Sequence, residues 1–172
     1  MSALAAIALG SNLHSSVSGV GGDRAANLRE AVRRLGALGE VRAVSSFCDT
    51  APVGLVAQPR FLNAAALLET AMEPVDLLRG MLEVERAMGR VRGVAKGPRV
   101  IDLDLLLYGD RVDASEELVL PHPEMERRAF VLEPLAEIAP GMVHPVLRMT
   151  VSEMLAQLRG DAKEAALARH RY

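Results

Sequence analysis

The chain has 172 residues, half of them hydrophobic, with 3% aromatic residues, no Trp and a net charge of −2. That is one domain's length with a core to be built from Leu, Val, Ala and Met, and no global charge to favour nucleic acid or an anionic membrane, so any basic patch is local. Cys48 stands alone, which excludes an intrachain disulfide and a cysteine-based zinc site and suits a reducing cytoplasm.

The apolar start, residues 4–9, is too short for a membrane span and lacks a basic leader. It reads as a first strand rather than a signal peptide, ending at Gly10-Ser11-Asn12. A Ser/Gly-rich loop follows over 14–22. Asp23 is placed to cap a helix reaching about Leu38, with Ala26, Leu28, Ala31, Val32 and Leu35 on one side. Residues 41–48 form a β-branched and small-residue strand. Residues 49–59 carry Pro52, Gly54 and Pro59 and read as an ordered loop. A third strand is expected over 61–69. Pro74 opens a second helix, with Val75, Leu77, Leu78, Met81, Leu82 and Val84 as its apolar set, and Gly89 ends it.

Residues 100–108 are the most strand-like stretch, turning at Gly109-Asp110. Pro121-His122-Pro123 is rigid. Short helices are expected over 124–128, 130–138 and 151–158. Residues 161–172 read as a charged peripheral helix or frayed tail beyond a single domain of 1–160. Strands neighbouring in sequence, mixed with helices without strict alternation, predict an α+β sandwich: a mainly antiparallel sheet covered by helices.

The stretch that carries chemistry is 90–104. Arg90, Arg92, Lys96 and Arg99 precede Asp102 and Asp104, which head an apolar run. Alternate residues of a strand share a face, so both carboxylates point one way and Leu103 and Leu105 the other. Paired carboxylates suit magnesium, which takes oxygen ligands and fills its sphere with water and substrate phosphate. Arginine forks bind phosphate oxygens bidentately. A solvated strand face and an ordinary basic loop are the plain alternatives, although Asp is depleted in strands. Glu83 and Glu85 sit on the second helix, where pairing with Arg86 and Arg90 explains them at the surface. Asn63 offers a donor and an acceptor to a flat heteroaromatic ring. Phe61 and Phe130 read first as core. His122, fixed between prolines, is a candidate donor toward phosphate.

The segments 7–13, 44–47, 50–54, 58–65, 89–92, 97–104, 121–123 and 128–130 resemble, in order, one family: the 6-hydroxymethyl-7,8-dihydropterin pyrophosphokinases of folate biosynthesis. Gly97-Pro98-Arg99-Val100-Ile101-Asp102-Leu103-Asp104 is the most specific of them. The resemblance implies a ferredoxin-like fold and transfer of diphosphate from ATP to a pterin primary alcohol, with AMP as the other product. It implies two magnesium ions on Asp102 and Asp104. Arg90, Arg92 and Arg99 would contact ATP phosphates, His122 and Arg128 would assist, and Glu85 would lie near the nucleotide. Thr50, Pro52, Val53 and Asn63 would line the pterin pocket, with Phe61 and Phe130 as its aromatic contacts. Lys96 stands where an aromatic residue is usual in that family, and Phe61 where Tyr is common.

The expected partners are ATP and a dihydropterin, without nucleic acid or membrane, for a monomer in the cytoplasm. Two rivals remain. A nucleotidyltransferase also combines Gly-Ser with Asp-x-Asp but sets them close together, and it would release pyrophosphate. A catalytically altered pterin or nucleotide binder would release nothing. An RNA-binding module would need more sheet aromatics and a broader basic face.

Overall fold

Alanine-rich runs, Ala5 and Ala6 in one strand and Ala64, Ala65 and Ala66 in another, form the middle of the sheet, each at most 1% exposed. Small side chains there let helices close on both faces. The computed structural model describes residues 1–12, 23–50, 61–89 and 100–169, with the backbone alone at Thr50 and at 165–169. Chain order is β1 (Ala3–Ser11), α1 (Arg24–Leu35), β2 (Glu40–Val44), β3 (Cys48–Thr50), β4 (Phe61–Thr70), α2 (Pro74–Ala87) and β5 (Asp102–Tyr108). Then come the β6–β7 hairpin (Asp113–Ala114 and Val119–Leu120), a 3₁₀ turn (Met125–Arg127), α3 (Ala129–Ile138) and α4 (Val151–Arg169).

The main sheet runs β2-β4-β1-β5, with every neighbouring pair antiparallel and β3 beside the start of β4. With α1 and α2 as crossovers, this is the β-α-β-β-α-β order of a ferredoxin-like fold. One core forms where Ile7, Leu9, Leu68, Leu103 and Leu105 meet Leu28, Leu35, Leu77 and Met81 of α1 and α2. The other forms on the opposite face, where Ala6, Ala65, Leu67 and Leu107 meet Val131, Leu132 and Leu135 of α3 and Val151, Met154 and Leu155 of α4. These cores hold the fold. Truncating a buried Leu such as Leu68 typically costs about 2–5 kcal/mol. An exposed pair such as Arg79–Glu117 contributes little, because water screens it.

Asp23 caps α1 as expected, its Oδ1 accepting the Ala26 N–H at 2.6 Å. The helix stops at Leu35 instead of Leu38, and 36–38 continue as turns. Gly39 then lets β2 run tight against β4: a Cβ there would lie 2.3 Å from the Glu69 carbonyl oxygen.

The strand expected over 41–48 is two strands. Ser45 Oγ takes the Ala65 N–H at 2.8 Å, and the Ser46 N–H and hydroxyl both donate to Glu137 of α3, at 3.0 and 2.6 Å. The Ser45 N–H still donates to the Ala65 carbonyl at 2.9 Å, and from Ser46 on side-chain bonds take the place of the ladder. The β6–β7 hairpin has no counterpart among the expected elements. The last helix is continuous from Val151 through Arg169, so the helix expected over 151–158 runs on into the tail as the peripheral-helix reading of that segment has it.

His144 closes the turn before α4. Its Nδ1 accepts the Val146 and Leu147 N–H groups at 3.3 and 3.0 Å, and Arg148 takes a left-handed φ of 56°. Burial pushes the His144 imidazole below its ordinary value of 6.5, with Glu126 opposing. The unfolded chain then takes up that proton first, so stability is lost as pH falls below 6.5 toward the depressed folded value. Tm is therefore predicted to drop between neutral pH and about pH 5.5. It should drop less steeply in His144→Asn, which keeps an acceptor but cannot titrate. Equal slopes in thermal melts would contradict this.

Candidate functional site

Acid and leucine alternate at the head of β5. Leu103 and Leu105 are buried against the α1–α2 core, so Asp102 and Asp104 face the other side of the sheet, both partly exposed. Their Cα atoms are separated by two strand positions, roughly 6.5–7 Å. The register sets Asp104 opposite Ala8 and Asp102 opposite Gly10. Gly10 in turn faces Asn63, and Asn63 faces Cys48.

Asp102, Gly10, Asn63 and Cys48 thus form one row across four strands. Asp102 and Asn63 are two strand spacings apart, roughly 10 Å. Gly10 leaves the middle of that row without a side chain. A Cβ there would lie 3.1 Å from Asn63 Oδ1 and 3.5 Å from Phe61 Cδ1. Gly10, expected to end the first strand, instead lies within it as the gap between two candidate side chains. Asn63 is buried and Phe61 half-buried, at the start of β4, ahead of the Ala65 and Leu67 that pack under α3.

The segment after β7 borders the carboxylates. The His122 N–H donates to the Leu106 carbonyl at 2.9 Å, anchoring it to β5. Its Nδ1 accepts the Glu124 N–H at 3.3 Å. That leaves the imidazole proton on Nε2, which lies 3.9 Å from Asp104 Oδ1. Arg128, at the start of α3, pairs with the Glu124 carboxylate, and its Cζ lies 5.7 Å from the Phe130 ring centre. Phe130 packs at the margin of the α3–α4 core. Glu124 therefore sets both a histidine tautomer and an arginine position. The only sequence signal for it was its spacing to Arg128, one turn away.

Glu85 departs from its expected surface setting. It is 2% exposed, and its Oε1 accepts the Leu103 N–H at 2.8 Å. It reaches β5 from α2, whereas Asp102 and Asp104 project from the opposite face. At Thr50 the structure describes the backbone, paired with Phe61. Pro52, Val53, Arg90, Arg92, Lys96 and Arg99 lie outside the described residues.

Among the described residues, no three His, Cys, Asp or Glu side chains gather as a metal site. Two carboxylates alone cannot complete an octahedral sphere. This donor set fits a hard cation that shares its coordination with water and substrate phosphate, as magnesium does.

The family model for 7,8-dihydro-6-hydroxymethylpterin-pyrophosphokinase (HPPK) matches residues 6–140. A 2-amino-4-hydroxy-6-hydroxymethyldihydropteridine pyrophosphokinase of Methylorubrum extorquens is 46% identical, covering 88% of this chain and 91% of that protein. One of Bacillus subtilis is 44% identical, covering 80% of this chain and 79% of that protein. The folic acid synthesis protein fol1 of Schizosaccharomyces pombe is 38% identical over 90% of this chain, but the chain spans only 20% of its length. The crystal structure of wild-type HPPK-DHPS from Plasmodium falciparum superposes with a TM-score of 0.73 at 15% identity, over 95% of this chain and 42% of that one. That likeness is one of fold.

The Gly10 contacts make a prediction. Gly10→Ala should fold, cost about 1–3 kcal/mol by overpacking, and shift the Asn63 side-chain amide resonances. Unmoved Asn63 signals would contradict the close approach.

Proposed function

We infer the activity from kinship: this chain belongs to the 7,8-dihydro-6-hydroxymethylpterin-pyrophosphokinase family. We propose that it transfers the diphosphate of ATP to the hydroxymethyl oxygen of 6-hydroxymethyl-7,8-dihydropterin in folate biosynthesis. The pterin oxygen bonds to the β-phosphorus, the bond from that phosphorus to the α,β-bridging oxygen breaks, and AMP leaves. The observation that carries this reading is the row Asn63–Gly10–Asp102, with Asp104 and His122 beside it. Roughly 10 Å between Asn63 and Asp102 suits a pterin ring held at one end by an amide, with its alcohol reaching the carboxylates at the other.

Each candidate side chain has a task in this reading. Asn63 hydrogen-bonds the ring edge, and Phe61 and Phe130 contact its faces. Thr50, Pro52 and Val53 complete the pocket. Asp102 and Asp104 would hold two magnesium ions. The ions would neutralise phosphate charge and lower the pKa of the attacking alcohol. Arg90, Arg92 and Arg99 bind phosphate oxygens in forks. His122 donates Nε2–H toward the phosphates, with Arg128 beside it. Phosphoryl-type transfer passes through a loose transition state, so positioning and charge supply most of the catalysis. No strong general base is needed, and Asp102 is the nearest acceptor for the alcohol proton.

The substrates are two small molecules, and we propose that the chain acts on them as a monomer. Among the described residues, no helix is long and apolar enough to cross a membrane.

Incubation with ATP, magnesium and the hydroxymethyl dihydropterin should release AMP. Release of pyrophosphate, or binding of both ligands with no AMP, would contradict the proposal. Asp104→Ala should lower AMP formation by at least about 10²–10³-fold while unfolding remains cooperative. Near-normal turnover would remove Asp104 from the metal site. Arg99→Ala should slow single-turnover AMP formation, and an unchanged rate would remove Arg99 from the transition-state contacts.

A further inference from the structure

Burying a carboxylate is costly unless it is hydrogen-bonded, and α2 nonetheless carries one, Glu85, into the interior at 2% exposure. Its Oε1 accepts the backbone N–H of Leu103 at 2.8 Å. Leu103 is the residue between Asp102 and Asp104, on the outermost strand of the main sheet. On its inner side that strand is held by β1. From α2, Glu85 fixes the midpoint of the acidic pair through the main chain.

We propose that Glu85 is a positioning residue: by holding the Leu103 N–H it sets the separation and direction of the Asp102 and Asp104 carboxylates. It does so as a hydrogen-bond acceptor, not as a charge on the nucleotide or the cation. This rests on the proposed metal role of Asp102 and Asp104. The α2 packing at Leu77, Met81 and Val84 holds the acceptor oxygen at a constant reach from β5. Two carboxylates that share a cation must hold their oxygens at fixed spacing, and a backbone free to flex at Leu103 would vary it. Partners behind metal ligands typically alter metal affinity by about 10–100-fold.

Two conservative variants separate the roles. Glu85→Gln keeps the acceptor oxygen and its reach but loses the charge. Glu85→Asp keeps the charge but falls one methylene short of the Leu103 N–H. The readout is Mn²⁺ affinity by electron paramagnetic resonance on the full chain with α,β-methylene ATP, together with kcat and KM. Glu85→Asp is expected to weaken Mn²⁺ binding by about 10–100-fold and to lower kcat with little change in the pterin KM. Glu85→Gln is expected to keep Mn²⁺ affinity close to that of the wild type. The reverse order would overturn the proposal, since charge would then be what matters. Two variants equal to the wild type in metal affinity would also overturn it, even if both melt earlier. Asp104→Asn is the control. If it leaves Mn²⁺ binding unchanged, the metal reading of Asp102 and Asp104 fails, whereas weaker binding there with an unaltered Glu85→Asp defeats this inference alone.

Discussion

The antiparallel pairing of β5 with β1 is the constraint on which the rest depends. Nine residues of β1 lie between β4 and β5 and set the register of both. Leu103 and Leu105 drop into the α1–α2 core, and that burial turns Asp102 and Asp104 outward. A slip of one residue would bury the two acids and expose the leucines, so the hydrophobic core enforces the chemistry of the opposite face. The same register brings Asn63 into line with Asp102 across Gly10.

The second face sets where the candidate site lies. α3 and α4 cover Ala6, Ala65, Leu67 and Leu107, further along the same strands. Beyond that cover lie Phe61, Asn63, Gly10 and Asp102. His122 and Arg128 arrive on the segment that leads into α3, so the element that closes the core also carries groups to the edge of the site. A βαββαβ chain alone supplies one covered face. The C-terminal helices cover part of the other.

Much of this was legible from local pattern. The Asp-Leu-Asp alternation, the Asp23 cap and the Pro74 helix start each depend on neighbours within a turn or two, and each is found. What escaped depends on distant partners. The break after β2 is made by Ser46 meeting Glu137, 91 residues away. Glu85 looked like a surface member of a charged helix, because nothing nearby reveals that its face meets the β5 edge. Gly10 looked like a strand end, since its function as a gap appears only when Asn63 and Phe61 stand on the next strand. Glu124 gained meaning from a backbone N–H, which no side-chain motif records.

The central claim is that the outward face of β5 gathers cation and phosphate beside the Asn63 row. Paramagnetic broadening by Mn²⁺ with α,β-methylene ATP, followed on the assigned backbone amides, tests it most directly. Broadening should be strongest at Asp102, Leu103 and Asp104, reach Gly10 and His122, and be weak along α4. Broadening centred elsewhere, or left unchanged when both aspartates become asparagine, would contradict the account.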